Sequence, residues 1–436
     1  MVSKLRFRIR RLLRKVWVPV VAYGLLGVAT SLGAGFLRPV LPDGLAARIG
    51  ANAVEAILTI IATSMLTVTT FSLSIMVTAF GAATTGATPR ATALLKGDTT
   101  TQRVLATFIG AFLFALVGII GLRTGIYGDE GRVLLFLVTL AVLAVIVISL
   151  MRWIAHLTDF GRLDDTIARV EEAASTALHA RVEMPWFGGH KLTIAPSQTA
   201  HAVPAATIGY VQHVDAELLN DIAEELEARI WLQAQPGTFV HPAADLLRIE
   251  PFPDAPEMAA ATVERLREAF TVAPGRTFEQ DPRFGILALA EIASRALSPA
   301  VNDPGTGIDI LGRLVRVLSI WEERPQTHVK YPRLWVPPIR AEDLVGDAFH
   351  AIARDGAGLV EVQIRLQKSL AAVAELAPDI FAAPALEQAR AASALAAGAL
   401  PLAEDRARVA ALVEALEDRL ASGRLKHALR SGKARV

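Results

Sequence analysis

Six hydroxyl side chains recur at helical spacing in a long stretch without charge. Residues 56–89 contain no Asp, Glu, Lys or Arg, and nine of the twenty residues from 59 to 78 are Ser or Thr. At about 100° of rotation per residue, six of these hydroxyls fall within one arc of about 100° on a helix. The six are Thr59, Thr63, Thr67, Thr70, Ser74 and Thr78. If several chains share a water-lined pathway, rings of these hydroxyls would act as filter elements, with Glu55, just before the first of them, supplying charge at one mouth.

Two interpretations of this hydroxyl stripe stay open. Small polar residues also let neighbouring helices approach closely and hydrogen-bond to each other, and Ser or Thr can bond to the carbonyl group four residues earlier. Glu55 is likewise either a mouth residue that attracts cations or a solvated acid at the membrane interface. Because lipid offers hydroxyls no partner, we expect the stripe to face other helices or water.

A second polar set lies in the segment "SRALSPAVNDP" and just before it. Its candidate binding residues are Arg295, Ser298, Asn302, Asp303 and Asp309, and "EQDPRFG" upstream adds Asp281 and Arg283. In a small-molecule or inter-subunit site, Arg295 would hold an anion. The alternative is a capped turn, in which Asp303 is the N-cap, Pro304 is the first helical residue, and Ser298 and Asn302 make local turn bonds.

Other chemistry has little support in the sequence. There is no cysteine, and His190, His201, His213 and His241 lack the spacing of metal ligands on a helix or strand. No nucleophile elbow, phosphate loop, dinucleotide fingerprint or zinc-protease motif occurs. We therefore predict no catalytic residue, no metal and no cofactor, and we do not expect an enzyme.

Hydropathy predicts four transmembrane helices in the first third of the chain. They are residues 16–37, the hydroxyl-rich run after Glu55, residues 104–122 and residues 133–151. The second run exceeds a bilayer, since thirty-four helical residues extend about 51 Å, so it should protrude or break near "FGAATTG". The chain is 53% hydrophobic with a formal net charge of +1, so we expect a lipid bilayer and no nucleic acid as partner.

The basic segment "KLRFRIRRLLRK" before the first span predicts the orientation. Its seven Lys or Arg residues and no acid favour a cytoplasmic N-terminus by the positive-inside rule. Four spans would then return the chain to the cytoplasm, which places both termini there and the protein in the bacterial inner (plasma) membrane. The segment could also lie on the anionic leaflet as an amphipathic helix, and the competing interpretation of the first span is a cleaved signal peptide.

The predicted fold is an α-helical membrane protein with a cytoplasmic α+β region. We expect a basic N-terminus (1–15), a four-span domain (16–155), a connecting helix and linker (156–189), a small β-rich module (190–255), a helical segment with the "SPAVNDP" connector (256–325), and two or three C-terminal helices with a basic tail (326–436). Within the β-rich module, "GYVQHVD" and "PGTFVHPAADLL" resemble the barrel-sandwich hybrid of biotinyl and lipoyl carrier domains. No Lys occupies the carrier position, so that resemblance implies a packing or collar module.

Two stretches carry a wider resemblance. Paired with "TVTTFSLSIMVTAFGAATTGATPR", the run "RTFEQDPRFGILALAEIASRALSPAVNDPGTGIDIL" resembles the bacterial membrane-protein family catalogued as domain of unknown function 2254. The resemblance covers nearly the whole chain, although "GTG" follows the last proline where relatives usually have threonine and alanine. It implies the architecture above and no activity.

Two functions follow from these patterns. The first is an oligomeric channel-like or transport-related protein, passing ions or a small ligand, whose second span lines the pathway. Four spans are few for a pathway through one chain, so this function requires a homo-oligomer. The alternative is a membrane-anchored scaffold or sensor whose cytoplasmic domain binds a partner or a small ligand.

Overall fold

The computed structural model describes residues 17–33, 51–96, 98–124, 128–158, 161–321 and 328–422. It divides into two compact units. The span unit takes its residues from Met1–Thr85 and Thr92–Thr166, and the C-terminal unit takes them from Gly86–Ala91 and Ile167–Val436. The basic segments at both ends of the chain lie outside the described residues.

Long apolar helices and one short polar helix, which begins in the C-terminal unit, make up the described part of the span unit. They are α1 (Trp17–Gly33), α2 (Ala51–Gly86), α3 (Pro89–Lys96), α4 (Thr99–Arg123) and α5 (Gly128–Leu157). The stretches Ala53–Ala82, Thr100–Arg123 and Gly131–Leu157 are each long and apolar enough to cross a membrane. In α1 the apolar stretch is the shorter Val20–Thr30, and residues 34–37 lie outside the described chain, so the first of the four spans stays a prediction.

The second span is one long helix. α2 has 36 residues, which corresponds to about 54 Å. It continues through "FGAATTG" and ends at Gly86, so it exceeds a hydrocarbon core of about 30 Å without the break that the sequence allowed. Asp98, the N-cap of α4, accepts a hydrogen bond from the Thr101 amide at 2.9 Å, which fixes where the next span begins.

Small residues bring the span helices together. A Cβ atom at Gly110 of α4 would lie 2.5 Å from the ring of Tyr23 in α1, and one at Gly118 would lie 2.9 Å from Leu58 in α2. The buried core around these contacts consists of large apolar side chains, including Phe108, Phe114 and Leu135. Close approach of this kind is the usual means of helix association in lipid, where apolar burial gives no driving force.

We predict that Gly110→Ala destabilises the span unit by about 1–3 kcal/mol, because the added methyl group overpacks the contact with Tyr23. The matched control is Gly24→Ala in α1, where a Cβ atom would meet nothing within 4 Å. Thermal unfolding in detergent micelles measures both variants. An equal midpoint for the two would contradict this packing.

The passage from α5 to α6 (Leu163–Glu183) corrects one prediction. A single helix was expected from residue 156 to residue 183, but α5 ends at Leu157 and Gly161 has a φ of +81°. Glycine adopts this left-handed conformation at no steric cost. A Cβ atom there would also approach the Ala79 carbonyl oxygen to 3.0 Å, so both the backbone and the packing require glycine.

Two small sheets form the β part of the C-terminal unit. The strands are β1 (His190–Lys191), β2 (His201–Pro204), β3 (Gly209–Val214), β4 (Arg229–Leu232), β5 (Phe239–Val240), β6 (Asp245–Glu250), β7 (Phe270–Ala273) and β8 (Leu334–Val336). One sheet has the order β1-β8-β4-β6-β2 and the other the order β5-β3-β7. β8 pairs in parallel with β1 and β4, and the remaining pairs are antiparallel. β7 and β8 come from outside residues 190–255, so the β part is larger than predicted, and its barrel-sandwich identity stays a prediction.

Helices complete the C-terminal unit. They are α7 (Ala216–Glu225), α8 (Pro256–Glu268), α9 (Pro282–Ala296), α10 (Pro304–Leu318), α11 (Ala341–Asp355), α12 (Val360–Leu376), α13 (Pro378–Ala399) and α14 (Ala403–Ala421). Four helices therefore follow residue 341 within the described chain, where two or three were predicted. α9 is the central element, because it packs against α10 and α11 and its Gly285 lies against Ala174 of α6.

Candidate functional site

The hydroxyl stripe lies on the outward face of α2. All six of its residues are exposed: Thr59, Thr63, Thr67, Thr70, Ser74 and Thr78. The buried positions Val54, Leu58, Ile61 and Met65 belong to the core of the span unit. At about 100° per residue these buried positions centre roughly 170° away from the stripe. The described helices of the same chain therefore do not cover the stripe.

Each stripe hydroxyl donates a hydrogen bond to the backbone of its own helix. Thr59, Thr63 and Thr67 donate to the carbonyl four residues earlier at 2.8 Å, 2.9 Å and 2.9 Å. Thr70 donates to the Thr67 carbonyl at 2.9 Å, and Ser74 and Thr78 donate at 3.1 Å and 3.0 Å. The three hydroxyls outside the arc are half-buried or buried, at Ser64, Thr69 and Ser72. The hydroxyl hydrogens of the six stripe residues are thus satisfied within α2, and their exposed oxygen atoms can still accept hydrogen bonds.

α5 shows what an apolar outward face looks like in the same unit. From residue 137 to residue 151 its exposed side chains are all apolar, and its Thr139 is fully buried, donating to the Leu135 carbonyl. Within one unit, then, α5 buries its threonine and exposes Leu, Val and Ile, while α2 exposes a row of hydroxyls. The outward face of α2 is mixed, because Ile60, Phe71 and Val77 are exposed beside the hydroxyls, whereas the outward face of α5 is apolar.

Glu55 is paired at the start of the stripe. Its Oε1 accepts hydrogen bonds from Arg123, at 3.0 Å from Nε and 2.9 Å from Nη2. The Arg123 side chain is 73% exposed, and exposed pairs of this type contribute about 0–1 kcal/mol. The Glu55 carboxylate is therefore neutralised by Arg123 through a weak ion pair at the end of the span, and another cation could replace Arg123 at little cost in free energy.

Asp281 lies in a buried ionic cluster at the start of α9. Its carboxylate caps the helix by accepting from the Phe284 amide at 3.2 Å, and it accepts from Arg276 Nε and Nη2 at 2.7 Å and 2.9 Å. Asp281 is 2% exposed, and a Cβ atom at Gly237 would lie 2.4 Å from its Oδ2. Burial raises the pKa of the Asp281 carboxyl group, although the Arg276 bonds oppose the shift. These contacts give Asp281 a structural role.

Arg283, two residues after Asp281, forms ion pairs with a different set of partners, the aspartates of α11. Its guanidinium binds Asp347 at 2.6 Å from Nε and Asp343 at 3.1 Å from Nη1. Burial lowers the pKa of Arg283, but the two α11 carboxylates outweigh that effect and raise it overall. Arg283 therefore ties α9 to α11, and the structure does not bring it to the "SPAVNDP" turn.

The "SPAVNDP" segment is the turn between α9 and α10. The Ser298 hydroxyl donates to the Arg295 carbonyl at 2.7 Å, and Asn302 has a φ of +51°, which Asn tolerates better than most residues. Asp303 caps α10, accepting from the Thr306 amide at 3.0 Å and from its hydroxyl at 2.6 Å. Those bonds lower the pKa of Asp303. The predicted cap at Asp303 and the local bond of Ser298 are thus present, and Arg295 donates to the Ala87 carbonyl at 3.2 Å.

Asp309 belongs to a fourth contact, on the face of α10 toward α6. Its Oδ2 accepts from Arg313 Nε at 2.6 Å, and Arg313 also donates to Glu171 at 2.8 Å. Arg316 donates to the same Glu171 at 2.7 Å. Burial raises the pKa of Glu171, but the two arginines outweigh it and lower the pKa overall. The seven predicted residues thus occupy four separate contacts and do not share one site.

Sequence reasoning missed two buried polar groups. Arg181 donates to Gln235 at 3.2 Å and its guanidinium stacks on Phe187 at 3.9 Å, and burial lowers its pKa to about 10 although Asp281 opposes the shift. In the span unit, His156 Nε2 lies 2.9 Å from the Asp98 carboxylate. Neither group shows a local spacing signal, since each pair is more than fifty residues apart in sequence. Among the described residues, no three His, Asp or Glu side chains are grouped closely enough to hold a metal ion.

We predict that Asp281→Ala destabilises the C-terminal unit by about 3–5 kcal/mol, because it leaves buried arginine charge without its counter-ion. The comparison variant is Asp303→Ala, which removes an N-cap on a less buried helix start and should cost about 1 kcal/mol. Thermal unfolding of the purified protein measures both. If Asp303→Ala were the more damaging change, the assignment of Asp281 to a structural cluster would be wrong.

Comparison with known proteins agrees with the membrane architecture. The family model described as predicted membrane protein (DUF2254) matches residues 14–372. An uncharacterized protein of Mycobacterium bovis is 26% identical over 314 residues, which cover 68% of this chain and 59% of the relative. An uncharacterized protein of Mycobacterium tuberculosis strain H37Rv matches with the same identity and coverage. The chain thus spans about three fifths of the length of these curated relatives. No solved structure matches the chain.

Proposed function

Given that the chain belongs to the predicted membrane protein family DUF2254, we propose that it forms an oligomeric, channel-like assembly in the bilayer. In this assembly the outward face of α2 from each copy lines a shared polar pathway. The main support for this proposal is the exposed hydroxyl stripe, which the described helices of its own chain do not cover.

The energetics of hydroxyl groups in lipid support this arrangement. Transferring a hydroxyl without a hydrogen-bond partner from water to an apolar medium costs roughly 2–7 kcal/mol of free energy. The hydrogen bonds from the stripe hydroxyls to the α2 backbone remove most of that cost. The lone pairs that remain gain nothing from acyl chains but can accept hydrogen bonds from water or coordinate a cation. α5, with its entirely apolar exposed stretch, is the face suited to lipid.

Glu55 has a place in the same proposal. It lies one turn before Thr59, at the end of the stripe, with Arg123 as its partner. A passing cation could replace Arg123 as the partner of the carboxylate at little cost, since the exposed pair contributes about 0–1 kcal/mol. Glu55 would thus bind cations at the entrance of the pathway, and Arg123 would balance its negative charge when no ion is bound.

Cysteine labelling tests the proposed pathway, and the absence of native cysteine makes each label unique. We predict that Thr67→Cys, Thr70→Cys and Ser74→Cys react with a small charged methanethiosulfonate reagent in proteoliposomes. A thiol in water ionises and reacts, whereas a thiol in lipid does neither.

The matched controls lie on the lipid-suited face of α5. Leu140→Cys and Val147→Cys are equally exposed in the protomer and should stay unreactive. Equal protection of both sets would contradict the pathway and would favour the scaffold or sensor function, in which the stripe only packs against another helix.

We further propose that the protein lies in a bacterial inner membrane with its C-terminal unit on the cytoplasmic side, as the basic N-terminal segment predicts. Glu257→Cys, on the exposed surface of α8, should then react with a membrane-impermeant maleimide only after cells are permeabilised. Arg123→Cys, at the opposite end of the spans, should react in intact cells. The reverse pattern would invert the topology.

A further inference from the structure

The segment Gly86–Ala91, which we call the strap, follows directly on the helix that carries the hydroxyl stripe. It clusters with the C-terminal unit, although α2 before it and Thr92 after it belong to the span unit. Its local shape follows from the sequence "GATPRA". α2 ends at Gly86, the Thr88 hydroxyl accepts from the Ala91 amide at 3.4 Å, and Pro89 begins α3.

Two contacts hold the strap to α9. Arg90 Nη1 pairs with Glu291 Oε1, and Arg295 Nη1 donates to the Ala87 carbonyl at 3.2 Å. Glu291 and Arg295 are four residues apart and therefore lie on one face of α9. Ala87 and Ala91 are both fully buried, so the strap is packed as well as bonded.

The pairing with Arg90 matters more than its exposure suggests. The other carboxylate oxygen of Glu291 is buried and has no hydrogen-bond partner within the described part of the chain. A buried acceptor without a partner is costly, so loss of Arg90 would leave a carboxylate with one oxygen buried and without its counter-charge. The strap contact thus resists release from α9.

α9 itself is fixed within the C-terminal unit. Gly285 packs on Ala174 of α6, Arg283 binds the α11 aspartates, and Ser294 donates to Asp355. A shift of α9 would strain these contacts together. The strap joins α9 through the Arg90–Glu291 and Arg295–Ala87 contacts, directly after the end of α2.

From these contacts we infer that the C-terminal unit regulates the pathway by holding the end of α2 through the Arg90–Glu291 and Arg295–Ala87 contacts. This inference rests on the proposed function. When the strap is bound to α9, α2 is kept in one position, and release of the strap lets it move. Any event that displaces α9 would then be transmitted to the hydroxyl stripe.

The contact itself is tested by crosslinking in membranes. In the double variant Arg90→Cys/Glu291→Cys, a short bifunctional maleimide should crosslink the two cysteines. If the chain is then cleaved by a protease between the two sites, the crosslinked fragments stay together and migrate as one band on a denaturing gel. Arg90→Cys with Glu257→Cys on α8 is the control pair and should not be joined. Failure of the first pair to crosslink would overturn the inference.

Its effect on α2 is tested by charge reversal with Ser74→Cys as reporter. Arg90→Glu and Glu291→Arg should each change the labelling rate of the reporter by about two- to five-fold, the range expected for an exposed ion pair. The double reversal should restore the parent rate. Arg265→Glu, which breaks the exposed pair with Glu225 on another surface, is the matched control and should leave the rate unchanged. Crosslinking without any effect of the single reversals would overturn the inference.

A second reporter separates this inference from the proposed pathway. If Ser74→Cys is unreactive in every variant, the pathway is wrong, and a nitroxide label at the exposed Val77 then reports the motion of α2. The inferred role of the strap would be supported if the mobility of the nitroxide label changes in each single charge reversal and returns to the parent value in the double reversal. Identical spectra in all variants would overturn it.

Discussion

A bilayer offers no partner to a polar group within it, and the stripe hydroxyls of α2 find their partners within their own helix. Its six stripe hydroxyls bond to their own backbone, and the same six point away from the core of the span unit. The helix can therefore be inserted as an ordinary span while still presenting a polar face. Thr30 of α1 and Thr139 of α5 are buried, and among the described residues of the span unit the outward row of hydroxyls lies on α2.

The long α2 connects this polar face to the C-terminal unit. The helix continues without interruption to Gly86. The strap follows directly, and its side-chain contacts reach α9. Under the inferred regulation, these contacts would act on the hydroxyl stripe through α2.

Much of this architecture could be predicted from the sequence, because it depends on local patterns. Uninterrupted apolar stretches indicated three of the spans, and the β-rich module was expected over residues 190–255, where β1 to β6 lie. Asp303 and Pro304 predicted the start of α10 by their capping chemistry. What could not be predicted depends on distant partners. β8 joins β4 across about one hundred residues, Glu291 meets Arg90 across 201 residues, and the candidate set around "SPAVNDP" separates because each charged side chain has a nearer partner on another helix.

The number of copies in the membrane is the most direct test of the account. Native mass spectrometry of the protein released from lipid nanodiscs gives that number without any label. We expect a defined oligomer of three or more chains, since a shared pathway needs several α2 faces around it. A strict monomer at all protein concentrations would contradict it, because the hydroxyl stripe would then face only lipid.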